Sequence, residues 1–324
     1  MSASPPHLKP MSAGDILDQA IRIYRENFIP LVTIVAIISV PLVLIQLAAI
    51  ALTFPSFPGF GTPSESFAPA DLGSIAILVS AAAGILALVA AIFQNGALSY
   101  FVSERFLNRP VTVRQAYGKA FSRWLSLLLA AILLGLAVGG VFALLFGILL
   151  VPVIAATVAG GGSDSSVGFI VGILLLCQCG LLIPALIAAV YLYTRWTFWV
   201  PAIVIENYNS TGGLGRSWKL VKGTFWRVLG FNIILYLIVT FFSLGPTYLV
   251  GVLTFLLPSP LIGFAVNAIA SSLILIIMTP LQYAVLTVLY YDLRIRKEGF
   301  DLVIQMQAQE TASALPSLTS GSNS

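Results

Sequence analysis

Six long stretches of this chain contain no Asp, Glu, Lys or Arg residue. Uncharged apolar runs of this length are typical of membrane-spanning helices, because a hydrocarbon core about 30 Å thick needs roughly 20 apolar residues per helix. The pattern therefore predicts six transmembrane helices. The runs cover residues 28–53, 72–93, 124–158, 167–193, 228–257 and 261–291.

The composition excludes an ordinary soluble domain. Of the 324 residues, 59% are hydrophobic and only 9% are charged, whereas soluble domains carry roughly 25% charged residues. Residues 1–27 lack the short apolar core of a cleavable signal peptide, so we expect the first run to act as an uncleaved insertion signal. The predicted fold class is an all-α, polytopic integral membrane protein.

The basic residues alternate regularly along the chain. All sixteen Lys and Arg residues lie before the first run, in the second and fourth connections, or after the last run. Because positively charged loops stay on the cytoplasmic side, we expect a multi-pass protein of the cell (inner) membrane with both termini in the cytoplasm. The net charge of +4 is then a property of one face, and it does not indicate a nucleic-acid partner.

Three short stretches, residues 18–28, 114–124 and 215–225, resemble one another and precede the odd-numbered runs. Each is basic and ends in an aromatic residue. Apolar residues spaced by three and four predict amphipathic helices that lie in the membrane interface. Ser12 with Asp15, and Thr112, are predicted N-caps of such helices. With two spans after each short helix, the chain is predicted to form three parallel helix-hairpin repeats in one orientation.

This interpretation divides the chain into three parts. Residues 1–11 form a polar leader, and residues 12–302 form the six-span membrane domain, with repeats at about 12–107, 112–207 and 210–302. Residues 303–324 form a polar tail, which we expect to be disordered and cytoplasmic.

The sequence contains no recognisable arrangement of catalytic groups. The single histidine, His7, lies in the leader. Cys177 and Cys179 lie inside the fourth run without a histidine or carboxylate nearby, so we interpret them as small apolar side chains instead of a metal or redox pair. Residues 160–162 are three glycines, but the Lys-Ser/Thr of a phosphate-binding loop does not follow. We expect no enzymatic activity, no cofactor and no metal site.

Charged residues near the ends of the runs are the first candidates for binding. Together with neighbouring aromatic residues, they are typical of anchoring groups at the membrane boundary. Alternatively, they form a cytoplasmic cavity for an anionic headgroup or a partner protein, because juxtamembrane bases contribute about 1 kcal/mol each toward anionic lipid. The candidate lipid or partner face comprises Arg22, Arg25, Arg105, Arg114, Lys119, Arg123, Arg195, Arg216, Lys219, Lys222, Arg227 and Arg294.

Five amides inside the runs are the second set of candidates. They either line a pore or make interhelical hydrogen bonds, and we favour the hydrogen bonds. The predicted spans hold no carboxylate, so a proton relay is not expected. The spacing of Gly135 and Gly139 permits close helix packing, within the chain or against a second copy. The five amides are Gln46, Gln178, Asn232, Asn267 and Gln282.

Three stretches of the chain resemble a known family. Residues 8–28 (LKPMSAGDILDQAIRIYRENF), 216–230 (RSWKLVKGTFWRVLG) and 290–302 (YYDLRIRKEGFDL) are similar to blocks of the membrane domain of glycerophosphoryl diester phosphodiesterases. In the namesake members this multi-span domain precedes a soluble catalytic barrel. Only a polar tail follows here, so the resemblance implies a stand-alone membrane module without that activity.

These observations favour a non-enzymatic membrane module with a basic cytoplasmic face. We expect that face to bind anionic lipid or to dock a membrane-associated or cytoplasmic protein partner. One alternative is a channel or transporter for a small neutral or anionic solute. A second alternative is a non-catalytic membrane subunit of a glycerophosphodiester phosphodiesterase.

Overall fold

The computed structural model describes residues 10–53, 70–158, 165–254 and 260–299, together with residue 306. Within these ranges, the side chains of 52–53, 70–77, 144–158, 165–179 and 260 are not described. The predicted disorder of the tail therefore lies outside the described residues. The described backbone is helical apart from short connections, which confirms the all-α fold class. The helices are α1 (Ala13–Glu26), α2 (Phe28–Thr53), α3 (Ala70–Phe106), α4 (Val113–Ser122), α5 (Trp124–Val158), α6 (Ser165–Arg195), α7 (Trp199–Ile205), α8 (Ser210–Val221), α9 (Phe225–Thr254) and α10 (Pro260–Glu298).

Six of these helices contain segments that are long and apolar enough to cross a membrane, as the sequence predicts. In the most apolar part of each, between 6 and 22% of the residues are buried inside the protein. Most of the apolar surface is thus left for lipid, and the chain has the architecture of a multi-span membrane protein in a bilayer. The segments are Phe28–Ala51, Leu78–Phe106, Trp124–Ala143, Gly180–Ile205, Phe225–Thr254 and Leu261–Glu298.

The even-numbered spans differ from the predicted runs at their C-terminal ends. Helix α3 continues to Phe106 and α10 continues to Glu298, beyond the ends of the predicted runs at 93 and 291. Charged residues do not end these helices, because they find polar partners beside the short helices. The fourth span is interrupted instead: α6 ends at Arg195, and α7 begins at Trp199.

The packed core lies at one end of the long helices. Phe101 of α3, Leu31 of α2 and Tyr290 of α10 are fully buried there, in one cluster with Ile16 of α1 and Ala116 of α4. Burying one such large apolar side chain contributes about 1.5–3 kcal/mol. In the cluster, the short helices thus cover the ends of α2, α3 and α10.

The long helices also pack in sequential pairs. Helix α2 contacts α3, α5 contacts α6, and α9 contacts α10. A second, smaller cluster joins Leu127 of α5 to Ile203 and Val204 of α7. Helix α10 additionally packs against α2, α3 and α1, and α3 packs against α4, α5 and α7, so these two helices are the central elements among the described residues.

Side-chain caps begin α1, α4 and α8, the three short helices that precede the odd-numbered spans. Ser12 and Asp15 form a reciprocal capping box at α1, and Thr112 forms one with Gln115 at α4; both N-caps are as predicted. The side chain of Asn209 caps α8 by accepting a hydrogen bond from the Gly212 N–H (2.8 Å), a cap that the sequence interpretation missed. Each cap satisfies an N–H group that has no partner within its helix.

The buried faces of the short helices agree only partly with the predicted apolar stripes. Ala116 and Ala120 of α4 are buried as expected. However, Phe121 and Trp124 of the same predicted stripe are 68% and 47% exposed. The contact surface of α4 is therefore narrower than its apolar pattern, and the two aromatic rings are left at the molecular surface.

Candidate functional site

The three short helices and the ends of α3, α7 and α10 gather at one end of the molecule, which we call the charged end. Lys119 of α4 donates a hydrogen bond to Asn207 Oδ1 in the turn between α7 and α8 (2.7 Å). Arg216 of α8 pairs with the glutamate that ends α10. The Met11 N–H, just before α1, donates to Asp292 of α10 (2.8 Å). The structure thus brings bases from all the basic segments it describes into one region.

Two arginines and two glutamates form an ion-pair network at this end. Arg216 Nε lies 2.8 Å from Glu206 Oε2, and Arg216 Nη2 donates to Glu298 Oε2 at 2.7 Å. Arg294 Nε lies 3.3 Å from Glu206 Oε1 and 3.5 Å from Glu298 Oε2. The Tyr290 hydroxyl donates to the Glu206 carboxylate. These five residues, the Glu206 network, join the end of α7 to α8 and α10.

The Glu206 network is compact and electrically balanced. Its arginine side chains are each 15% exposed, and Glu206 is 12% exposed. The hydrogen bond with Glu298 raises the pKa of Arg216, and Glu206 adds to this rise against the opposing effect of burial. Arg216 thus stays charged at any physiological pH. Its charge is used within the protein and is not available to an external anion.

Asp292 forms a second buried polar contact, which we call the Asp292 clasp. Its side chain is fully buried, and it accepts hydrogen bonds from Arg227 Nη2 and Arg296 Nε, both at 3.0 Å. It also accepts the Met11 N–H, while both arginines donate to the Met11 carbonyl oxygen, at 2.8 Å and 2.6 Å. The clasp therefore fixes the segment before α1 against α9 and α10.

Arg195, the last residue of α6, is held in a different way. Its guanidinium carbon lies 5.1 Å from the ring centre of Tyr191, 4.9 Å from that of Trp218 and 5.7 Å from that of Phe225. Its Nε donates to the Tyr191 hydroxyl (3.1 Å). Cation–π contacts of this kind contribute about 0.5–2 kcal/mol each. We call these four residues the Arg195 cage.

The break between α6 and α7 is stabilised by a side chain from α8. The hydroxyl of Ser217 donates to the Arg195 carbonyl oxygen (2.9 Å) and accepts the Phe198 N–H (3.1 Å). Ser217 is fully buried. It thus supplies partners for two backbone groups beside the break, and it docks α8 against the Arg195 cage.

Lys297 covers the C-terminal end of α8. Its ammonium group donates to the carbonyl oxygens of Leu220 (2.7 Å) and Lys222. A cation at a helix C-terminus is favourable because the last carbonyl groups have no partner within the helix. The charge of Lys297 thus stabilises the contact between α10 and the end of α8.

The other predicted bases are either half-buried or exposed. Arg105 is half-buried, lies over the Phe101 ring (5.5 Å) and donates to the Val111 carbonyl oxygen (3.4 Å). Lys119 and Arg123 are half-buried. None of the bases at this surface forms an ion pair within the part of the chain that the structure describes. The exposed members are Arg22, Arg25, Arg114, Lys219 and Lys222.

Two of the five intramembrane amides make contacts between helical segments. Asn232 of α9 donates to the Thr197 hydroxyl at the α6–α7 break (2.9 Å), and Asn267 of α10 donates to the Thr247 carbonyl oxygen of α9 (3.5 Å). Gln46 is exposed and Gln282 is half-buried. The side chain of Gln178 lies outside the described residues, as do those of the two cysteines.

Several functional side chains were missed by the sequence reasoning. The bases were visible as one face, but their partners Glu298 and Ser217 were not, because each is contributed by a distant segment. Trp218 and Phe225 were visible only as apolar residues of a helix stripe. The one useful signal for the Arg195 cage was the spacing of four between Tyr191 and Arg195, which stacks the two side chains on one helix face.

The charged end is suited to binding an anion, since Glu206, Glu298 and Asp292 are paired inside the protein while several bases face outward. Within the described ranges, no three His, Cys, Asp or Glu side chains are close enough to hold a metal ion. A protein-family model described as Domain of unknown function (DUF7847) matches residues 11–293. This match includes both sides of the Asp292 clasp, and it shows no link to phosphodiesterases. Comparison with curated proteins and with solved structures gives no match.

Proposed function

This chain belongs to the family of the DUF7847 domain, whose function is unknown, and we propose that it is a non-enzymatic membrane module that binds anionic lipid. The observation that carries this proposal is that the bases fall into two groups, those paired inside the protein and those at its surface. Arg216, Arg227 and Arg294 are paired with carboxylates inside the protein. The bases at the surface of the same end have no such partners among the described residues and are left for an external anion.

The proposed orientation follows from three hairpins of like direction. Each capped short helix leads directly into an odd-numbered span, at Phe28, Trp124 and Phe225. After the even-numbered spans, Asn108, Asn207 and Gly299 all have positive φ angles, between 56° and 61°. Similar caps, similar helix starts and similar turns at similar spacings support a threefold repeat. All its basic segments would then face the cytoplasm, with both termini on that side of the cell (inner) membrane.

The exposed bases would supply the binding free energy for anionic lipid. Each base near an anionic leaflet contributes about 1 kcal/mol. Arg22, Arg25 and Arg114 project from α1 and α4 at the charged end, and Lys219 and Lys222 from the end of α8. Together these side chains would favour anionic over neutral lipid around one half of the molecule. A membrane-associated protein with an acidic surface would meet the same residues.

The hydrogen bonds of the intramembrane amides favour a role in helix packing over a role in transport. Asn232 and Asn267 each donate to another helical segment, so these two polar groups have partners without a solute. The resemblance to the phosphodiesterase membrane domain adds a related proposal, in which the module is the non-catalytic membrane part of a separate enzyme. Co-purification with a soluble diesterase would support that role, whereas diesterase activity of the purified chain would overturn the non-enzymatic proposal.

The experiment measures lipid selectivity in reconstituted membranes. The chain is placed in vesicles of mixed phosphatidylglycerol and phosphatidylcholine, and spin-labelled analogues report which lipid is enriched around it. We expect enrichment of the anionic lipid that weakens at high salt, because salt screens exposed charges. The triple variant Arg22→Gln, Arg25→Gln, Arg114→Gln should lose much of this preference, at about 1 kcal/mol per base.

A matched variant with the opposite sign provides the control. Asp18→Asn with Glu26→Gln removes two exposed acids of α1, so it should strengthen the preference for anionic lipid while leaving the buried contacts unchanged. Equal enrichment of both lipids around the unaltered protein would overturn the proposal. So would an unchanged preference in the triple variant.

A further inference from the structure

Arg195 is a partly buried arginine without a carboxylate partner. The nearby acids are occupied: Glu206 and Glu298 belong to the Glu206 network, and Asp292 belongs to its clasp. Among the described residues, Arg195 forms no ion pair, and its buried Nη1 has no hydrogen-bond partner. An enclosed guanidinium without a counter-charge is costly, and the aromatic rings offset only part of that cost.

The cage is built from three elements that the fold holds in fixed positions. Ser217 bonds both sides of the α6–α7 break and so fixes Arg195 against α8. Trp218 follows on α8, with its ring 5.9 Å from that of Trp196, and Phe225 begins α9. The guanidinium is therefore positioned by packing and by hydrogen bonds before any ligand arrives, which lowers the entropic cost of binding.

The charge around the cage favours an anion. Lys297 is close enough to Arg195 for their charges to repel each other, and its ammonium bonds the carbonyl oxygens at the end of α8. Lys219 and Lys222 are exposed at this C-terminal end of α8. A phosphate group suits a guanidinium especially well, because paired N–H donors match its oxygen atoms.

An apolar stripe continues from the cage along α6 into the membrane-spanning part. Tyr191, Ile187 and Ile183 precede Arg195 at successive intervals of four residues, so they lie on the same helix face. Ile183 and Ile187 are each 65% exposed, and Tyr191 is 37% exposed. The stripe thus offers an acyl chain an apolar surface directly beneath a cationic group, an arrangement that a free phosphate ion would not use.

From this arrangement we propose that Arg195 binds the phosphate of one anionic phospholipid in the leaflet at the charged end. The Trp218 and Tyr191 rings pack beside the headgroup, and an acyl chain lies along Ile187 and Ile183. This inference rests on the proposed function and deepens it. To the general preference for anionic lipid it adds one defined site, which binds one lipid molecule per chain.

The experiment counts tightly bound lipids. The detergent-purified chain is stripped of lipid, titrated with phosphatidylglycerol and analysed by native mass spectrometry. We expect one phosphatidylglycerol to bind more tightly than the rest, and Arg195→Gln to weaken that binding by about tenfold or more, since a charge-assisted contact is lost. The matched control is Arg109→Gln, which removes the same charge from an exposed arginine that belongs neither to the cage nor to the predicted lipid face, and it should leave the tight site intact.

Two further arms separate the possible sources of the phosphate. Phosphatidylcholine should bind more weakly than phosphatidylglycerol, and inorganic phosphate should not displace the lipid. Displacement by inorganic phosphate would overturn the lipid assignment in favour of a free anion. Retention of the tight site in Arg195→Gln would overturn the proposal altogether and leave the cage as a packing feature.

The same samples distinguish this proposal from the broader one. If Arg195→Gln loses the tight lipid but keeps the salt-sensitive enrichment around the exposed bases, both proposals stand. If the tight site is absent while the enrichment is present, only the specific site fails. Should Arg195→Gln not fold, a photoactivatable phosphatidylglycerol analogue is applied to the unaltered chain. Crosslinks must then fall within 183–195 or 218–225, and crosslinks exclusively elsewhere would refute the site.

Discussion

Asp292 is fully buried, and its carboxylate is held by two guanidinium groups and one backbone N–H. Sequence reasoning could identify Asp292, Glu206 and Arg294 as charged residues clustered near span ends. It could not predict the pairs Asp292–Arg227 and Glu206–Arg294, because the two members of each pair come from distant segments of the chain. The identity of a charged residue is local information, whereas its burial and its partner are properties of the assembled fold.

Asp292→Asn tests the clasp. The substitution preserves size but leaves Arg227 and Arg296 without their counter-charge. We expect a loss of about 3 kcal/mol in the free energy of unfolding, the lower end of the range for a broken buried pair, because these arginines are 29% and 34% exposed. Denaturant or thermal unfolding in detergent measures the change. Asp18→Asn on the exposed side of α1 should alter stability little, and equal effects of the two variants would contradict the assignment.

Alanine substitutions at two glycines should have opposite effects on stability. A Cβ atom at Gly213 would collide with the Ile203 side chain, whereas one at Gly139 would meet nothing within 4 Å. Gly213→Ala is therefore expected to cost about 1–3 kcal/mol from overpacking. Gly139→Ala should leave stability unchanged or raise it by up to about 1 kcal/mol, since alanine favours helix. Unfolding midpoints of both variants check this, and a destabilised Gly139→Ala would reveal a neighbour at that position.

At the scale of helices, the sequence predicts two of the three side-chain caps, whereas contacts between distant segments escape it. The capping boxes at Ser12 and Thr112 depend on residues three positions apart, so the sequence predicts them directly. The break between Arg195 and Trp199 depends on Ser217, which reaches it from α8. Apolar periodicity cannot show such a break, because its hydrogen bonds come from a side chain of another helix.

Helix α1 should respond to acid through its cap. The hydrogen bonds that Asp15 makes with the Ser12 side chain and backbone lower its pKa. A depressed folded-state pKa means that the contribution to stability is present above the unfolded pKa of about 3.9 and is lost as the pH falls through the folded value. The unaltered chain should therefore be more stable than Asp15→Ala at neutral pH, and the difference should vanish in strong acid. A difference independent of pH would contradict this origin.

At the scale of the whole molecule, hydrophobicity was sufficient to predict six spans. It was insufficient to show where the spans pack. The large buried residues, such as Phe101 and Tyr290, cluster at the charged end. Lipid and core are equally apolar, so the sequence pattern cannot distinguish a leucine that faces lipid from one that faces a neighbouring helix. Polar pairing at the charged end then determines which helices meet.

The orientation of the hairpins is testable by cysteine labelling. After Cys177 and Cys179 are replaced by alanine, single cysteines at positions 60 and 215 should react with a membrane-impermeant reagent from opposite compartments. A cysteine at position 109 should react from the same side as 215. Labelling of positions 60 and 215 from one compartment would contradict the arrangement of three hairpins in like direction.

The bond between Met11 and Asp292 connects positions 281 residues apart, and this separation has a consequence for biosynthesis. Throughout translation of the first five spans, Asp292 has not yet been made, so the amino-terminal segment lacks its partner. Only when the last helix emerges from the ribosome and inserts can that segment find its anchor. A chain that ends before the last helix therefore keeps this segment without its contacts to Asp292 and Arg296.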